Sequence, residues 1–379
     1  MRVDLPYGSR PYAVDLGGRD ARVLAAPELS QPAPLDELLD GALTAPIAAT
    51  LPRLAPGARV TVIVSDPSRH EPRAAMVAAL RRHLGPGRWT LAVATGTHGP
   101  CDLRALGLDG FGGDPIVNHD GESGIVEVGT TARGTPVRVH RCLLEADLVI
   151  ATGCIRPHYF AGFGAGAKAL FPGLGETAAI RINHRLKTAP RARAGIVDGN
   201  PCREDLEDAV RQIPTPMFLL DAVAGPDDRV HAAVAGDVFA AFRAGADRAR
   251  PWFTVRAAPA PLVIASDALP VSASLYQAAK IAAAAAPLVA PGGTLVVVAE
   301  CADGTGPLET VNEAIFRIGV LPRLPAGARL VLVSSLDAET VSRTLLVHAA
   351  TVASAIPAAP LGRVLVVPRA SQLICEAAS

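Results

Sequence analysis

The sequence predicts an α/β protein of two domains, each a mostly parallel sheet flanked by helices, and three observations lead there. First, short aliphatic runs recur along the 379 residues, each bounded by Gly, Pro or Asp. They are VTVIVSD (60–66), WTLAVATGTH (89–98) and ADLVIATG (146–153), then LVIASD (262–267), TLVVVAE (294–300), RLVLVSS (329–335) and RVLVVPR (363–369). Unbroken apolar runs are the mark of strands covered on both faces, as parallel sheets are. Second, helical patterns separate the runs, as in RAAMVAALRRHLGPG (73–87), giving strand–helix–strand units that imply parallel pairing. Third, apolar residues make up 50% of the chain but aromatics only 4%, a balance that suits aliphatic buried strands.

Taking the elements in order, the first three runs form one sheet. IVEVGTTARGTPVRV (125–139) adds a hairpin turning at Gly134, and MFLLDAVAGPDDRVHAAVAG (217–236) another turning near Gly225. The Pro/Ala-rich RAAPAP (256–261) then marks a boundary. A chain of this length exceeds what one core usually spans. The expected domains are residues 1–255, holding the site, and a smaller doubly wound domain at 256–379 whose last segment can pack back on the first.

Charge and cysteine content exclude several classes. The 36 basic and 36 acidic residues cancel, so no charge excess advertises nucleic acid or a membrane surface. The six cysteines are scattered with no CxxC pair, which argues against a disulfide framework or a cysteine metal cage. The N-terminus MRVDLPYGSRPY lacks the apolar core of a signal peptide, and the stretch 278–290, interrupted by Lys280 and Pro287, is too short to span a bilayer. A cytoplasmic protein is expected.

Polar clusters gather where the first runs end. Asp66 and Arg69, His98, and His158 each lie just beyond the carboxyl end of an expected parallel strand. In open α/β sheets ligands bind at that edge. The stretch RPHYFAGFGAGAK (156–168) places a histidine, three alternating glycines and a lysine in one loop. It fits neither a Walker motif, because Ala167 and Ala169 flank Lys168, nor a G-x-G-x-x-G, because Gly162, Gly164 and Gly166 alternate evenly. A glycine-rich turn into a helix still suits an anion, since bare backbone N–H groups can approach it closely. A tight turn carrying a solvated lysine is the plain alternative. His98 alone reads as a turn cap, and His184, on the face of Ile180 in an expected helix from Glu176, as a buried or capping histidine. Together the three histidines, the lysine and Asp-x-x-Arg point to an anionic small molecule, acid–base chemistry and a metal left unspecified. Arg69 suits a carboxylate and Asp66 suits orienting a histidine.

The blocks DPSR, ATGTH, RPHYFAGFGAGAK, FPGLGETAAIRINH and SLYQAAK, in this order, resemble the nickel-pincer-nucleotide-dependent lactate racemase family. The resemblance runs from about residue 10 to the last strand. Its most specific part is the spacing of His158, Lys168 and His184. It implies a 2-hydroxy acid racemase or epimerase working by hydride removal and return through a 2-keto acid. Lys168 is similar to the lysine that binds the cofactor, a pyridinium-3-thioamide-5-thiocarboxylate mononucleotide carrying nickel. His184 matches the position that ligates the metal, and Gly162, Gly164 and Gly166 would lie against the nucleotide. His98 and His158 match the two acid/base histidines. Asp66, Arg69, Tyr276, Gln277 and Lys280 match substrate-binding positions, so the resemblance also implies an active site in the cleft between the two domains. The partners implied are a small 2-hydroxy acid and the enzymes that make the cofactor, with no nucleic acid and no membrane.

Departures cluster around the substrate. The histidine loop reads GTHGP where a basic residue is expected, and GFGAGAK lacks a serine after the phenylalanine. The tryptophans, Trp89 and Trp252, are far from the C-terminal end. The departures leave the identity of the hydroxy acid open. Two other readings accompany this one: a zinc hydrolase built on the three histidines, and a binding module without catalysis.

Overall fold

The structure, a computed structural model, describes residues 1–108, 114–356 and 362–378. It divides into two compact units, a larger one at Glu28–Trp252 and a smaller one combining Met1–Pro27 with Phe253–Ser379. The chain enters the smaller unit for the second time three residues before the expected boundary at 255/256. The opening residues differ from expectation, because 1–27 belong with the C-terminal part.

The reason is strand pairing. β1 (Arg2–Gly8), β2 (Arg10–Asp15) and β3 (Ala21–Val23) form no sheet of their own. The larger unit supplies β4 (Arg59–Ser65), β5 (Arg88–Ala94), β6 (Ile116–Asn118), β7 (Ile125–Thr130), β8 (Pro136–His140), β9 (Leu148–Ile155), β10 (Pro157–His158), β11 (Gly162–Phe163), β12 (Met217–Ala224) and β13 (Val230–Gly236). The chain then returns through β14 (Thr254–Ala257), β15 (Ala260–Ala268), β16 (Val289–Val298), β17 (Arg329–Val333), β18 (Val347–His348), β19 (Val364–Val367) and β20 (Ile374–Ala377). β1 pairs in parallel with β15, and β3 with β19, so the N-terminal strands complete the smaller sheet. Its order is β18-β17-β16-β15-β1-β2, with β19 also on β15. Leu5 and Val14 from this opening segment share a core with Leu262, Ile264, Val296, Val331 and Val366. The last strand, β20, pairs with β14 within the same unit.

The larger sheet runs β13-β12-β9-β4-β5-β6. Five of these strands are parallel, and only β13 runs against its neighbour, through the expected hairpin. The hairpin at Gly134 also forms, between β7 and β8. The aliphatic run of β4 is buried from Val60 to Val64, as an interior strand requires. The helix Arg73–Leu84 stops at Gly85, whose φ of 76° suits glycine, and buries Met76, Val77, Leu80 and Leu84 against Val62, Val64, Leu91 and Ile150. The consequence for function is positional. β9, β4 and β5 are adjacent and parallel, so the loops after them open side by side. Among the described residues no helix is long and apolar enough to cross a membrane.

Candidate active site

The loops after the three adjacent strands carry the expected residues, and Asp66 and His98 meet there. After β4 the chain turns at once, and Arg69 N–H closes the turn on the Asp66 carbonyl at 3.1 Å. Asp66 Oδ1 accepts from Ser68 N–H at 2.8 Å and from the Ser68 hydroxyl, while Oδ2 faces His98 Nδ1 at 3.4 Å. Burial works to raise the Asp66 pKa, but the hydrogen bonds from His98 and Ser68 and the charge of Arg69 outweigh it and hold the carboxyl well below the usual range. An ionised Asp66 fixes the proton of His98 on Nδ1 and leaves Nε2 with its lone pair.

The turn is held from behind by residues that sequence reading passed over. Arg73, nearly buried, donates to the carbonyls of Ser65 at 2.6 Å, Arg69 at 2.8 Å, and Asp66. Glu71 faces it at 3.8 Å and accepts from Ser65 N–H at 2.6 Å and from the Thr152 hydroxyl. A Glu and an Arg two residues apart after an apolar strand were the available signal.

His158 lies in β10, which folds back on β11 with His158 opposite Gly162. Its Nδ1 accepts from Ala161 N–H at 3.2 Å. In the neutral ring this puts the proton on Nε2, the reverse of His98. The His158 ring meets Phe160 edge-on with centroids 4.6 Å apart, and Phe160 meets His184 in the same way at 4.9 Å. His184 stands on the helix Thr177–Arg185, as expected, with Ile180 buried on its face. Its Nδ1 lies 3.2 Å from Asn183 Oδ1. The Asn183 amide is oriented by its own donations to Asp205 at 2.8 Å and Cys202 at 3.2 Å, so that oxygen is an acceptor and His184 presents Nε2 unprotonated. Burial, with the charges of Lys168 and Lys187, pushes the His184 pKa down to about 3, which keeps the ring neutral.

Lys168 sits in the single turn Gly166–Ala169. Burial, then the nearby charges of Arg69 and Arg203, push its amine down to about 7. The backbone ties this loop to the His98 loop: Gly173 N–H donates to the Lys168 carbonyl at 2.9 Å, and Gly96 N–H to the Gly173 carbonyl at 3.0 Å. The three glycines divide into two kinds. A Cβ on Gly162, at φ 77°, would lie 2.1 Å from the Ile196 carbonyl oxygen, and one on Gly166, at φ 64°, 2.6 Å from the Phe242 ring. The protein's own packing demands both. A Cβ on Gly164 would meet nothing nearer than 3.7 Å, so Gly164 is the one whose bare backbone the fold does not explain.

Comparison with known proteins gives the family. Residues 7–195 match the family model described as the lactate racemase N-terminal domain. A lactate racemase of Thermoanaerobacterium thermosaccharolyticum is 30% identical over 80% of the chain and 75% of its own length. One from Lactiplantibacillus plantarum is 30% identical over 81% and 76%. The chain belongs to the lactate racemase family. It is an isomerase by that membership. The solved apoprotein of the Thermoanaerobacterium thermosaccharolyticum lactate racemase superposes with a TM-score of 0.84 at 25% identity, covering 99% of this chain and 100% of that one. A protein from Thermotoga maritima shares the fold at a TM-score of 0.64 and 16% identity, over 90% and 97% of the two chains.

Among the described residues no three His, Cys, Asp or Glu side chains gather as a metal site. The zinc hydrolase built on His98, His158 and His184 therefore lacks its ligand set. A depressed amine at Lys168, one imidazole lone pair at His184 and an open backbone face at Gly164 fit a group attached at one end and ligated at the other. Of the remaining expected residues, Tyr276, Gln277 and Lys280 lie in the smaller unit, on the helix Leu275–Ala285 capped by Ser274. Lys280 Nζ donates to Gln277 Oε1 at 2.6 Å.

Proposed function

We propose that the chain racemises or epimerises a 2-hydroxy acid of the lactate class, with a nickel pincer nucleotide attached at Lys168 and its nickel ligated by His184. The observation that carries this reading is the contrast between two histidines at strand ends of one sheet: Asp66 Oδ2 faces His98 Nδ1, which suits a base at Nε2, whereas Ala161 N–H donates to His158 Nδ1, which suits a proton donor at Nε2. When bound, the nucleotide supplies the two-electron acceptor that lets the Cα hydrogen leave and return as hydride. The chain's own residues handle the proton and the carboxylate.

Arg69 holds the substrate carboxylate with its paired donors. His98 Nε2 takes the hydroxyl proton as the carbinol becomes a ketone, and Asp66 stabilises the imidazolium that forms. The resulting 2-keto acid is reduced on its other face, and His158 Nε2 gives the proton that completes the new hydroxyl; solvent then returns a proton to His158 and takes one from His98, which restores the starting state. Two histidines are needed because the two enantiomers present their hydroxyls from different sides. In the reverse direction the histidines exchange roles. The reading assigns Tyr276, Gln277 and Lys280 to substrate binding, and attachment at Lys168 requires the cofactor-making enzymes as partners in the cytoplasm.

The test is chiral chromatography on optically pure 2-hydroxy acids, short aliphatic, aryl, dicarboxylic and sugar acids, using protein co-expressed with the cofactor-making enzymes. Wild type equilibrates at least one pair of stereoisomers, and His98→Ala and His158→Ala each lose about a thousandfold in rate. Nucleotide taken up at Lys168 without stereochemical exchange in any acid would instead mark a binding module.

A further inference from the structure

The peptide between Ala165 and Gly166, just ahead of Lys168, is gripped on both sides by buried charged side chains. Its N–H donates to Asp221 Oδ2 at 2.9 Å, and its carbonyl accepts from Arg203 Nη1 at 3.4 Å. Asp221 sits in mid-β12, opposite Gly153 of β9, and is fully buried. A Cβ on Gly153 would lie 2.8 Å from the Ala165 Cβ and 3.1 Å from Asp221 Oδ1, so the sheet is cut away there to seat the loop. Arg203 is fully buried too, paired with Glu207 at 2.9 Å and lying 3.6 Å over the Phe242 ring.

The gripped peptide is a strained one. Ala165 has φ 66° and ψ −164°, a combination that glycine adopts freely and alanine does not. Turning the Ala165–Gly166 peptide over would move Ala165 toward the ordinary left-handed well and give Gly166 a negative φ. The observed orientation persists where the surroundings over-determine it. The grip also leaves Asp221 Oδ1 and Arg203 Nη2 buried without hydrogen-bond partners, a cost that folding alone gives no reason to keep.

We infer that Asp221 and Arg203 are positioning residues for Lys168, clamping one peptide in a strained orientation that aims the following turn. The inference rests on the proposed function only in taking Lys168 as the attachment point. Burial pushes the Asp221 pKa well up, and toward this peptide the side chain offers one accepting oxygen, Oδ2. An amide oxygen can therefore replace it.

The experiment compares wild type, Asp221→Asn, Asp221→Leu and Asp221→Leu with Ala165→Gly. Hydrogen exchange of peptides spanning 163–170 is followed in the apo-protein, and the mass gained at Lys168 is followed after co-expression with the cofactor-making enzymes. Thermal midpoints are recorded alongside. In Asp221→Leu the segment exchanges about tenfold faster and attachment falls in proportion. Asp221→Asn retains both, and Ala165→Gly restores part of both because the strained conformation then needs no clamp. Exchange or attachment unchanged in Asp221→Leu overturns the inference. So does Asp221→Asn as damaged as Asp221→Leu, which would mean that the charge matters. If wild type itself gains no mass at Lys168, the proposed function fails, and the exchange pattern alone judges the clamp.

Discussion

Which ring nitrogen of a histidine carries the proton depends on its neighbours, and each of the three histidines has one at Nδ1: Asp66 for His98, Ala161 N–H for His158, and Asn183 for His184. Removing the last should cost metal. Asn183→Leu leaves His184 without its oriented partner, and nickel retention, read by elemental analysis of the loaded protein after dialysis, falls about tenfold. Lys168 makes a prediction about pH. Its amine titrates near 7 when folded against an ordinary 10.5, so between those values the unfolded chain binds more protons. Apo-protein stability therefore rises with pH across that window, and Lys168→Met abolishes that part of the slope. Urea titrations at pH 7 and pH 10 check it. A wild-type slope equal to that of Lys168→Met would show an ordinary lysine.

At the scale of elements, a strand matters for the loop it releases. Arg73, at the start of the helix after β4, fixes that loop by collecting the carbonyls of Ser65, Asp66 and Arg69. Arg73→Met strands Glu71 in the interior and costs about 3 kcal/mol, measurable by denaturant unfolding, with a loss of turnover beyond what reduced folding explains. The strands, the helix Arg73–Leu84 and both hairpins were legible because each is written in a continuous run or a local turn. His98, His158, Lys168 and His184 could be singled out from local pattern too: the first two follow strands, Lys168 follows a glycine run, and His184 lies on a helix face. Asp221 was not, although an acid within MFLLDAVA breaks an apolar run. Its partner is Gly166 on another element, and a pairing of that separation leaves no local pattern.

At the scale of the molecule, the first 27 residues belong to the smaller sheet. No run in RVDLPYG announces this, because β1 finds its place only beside β15, far along the chain. Leu5 is fully buried in that core, so Leu5→Ala costs about 3 kcal/mol, a loss that thermal unfolding followed by calorimetry assigns to the smaller unit. The larger unit carries all the residues to which the reaction assigns proton transfer, attachment and metal ligation. Following the Cα hydrogen tests that reaction most directly. With optically pure 2-hydroxy acid deuterated at Cα, the account predicts that the opposite stereoisomer keeps its deuterium, because the hydrogen travels as hydride and never meets solvent. Deuterium lost to water in the product would contradict it.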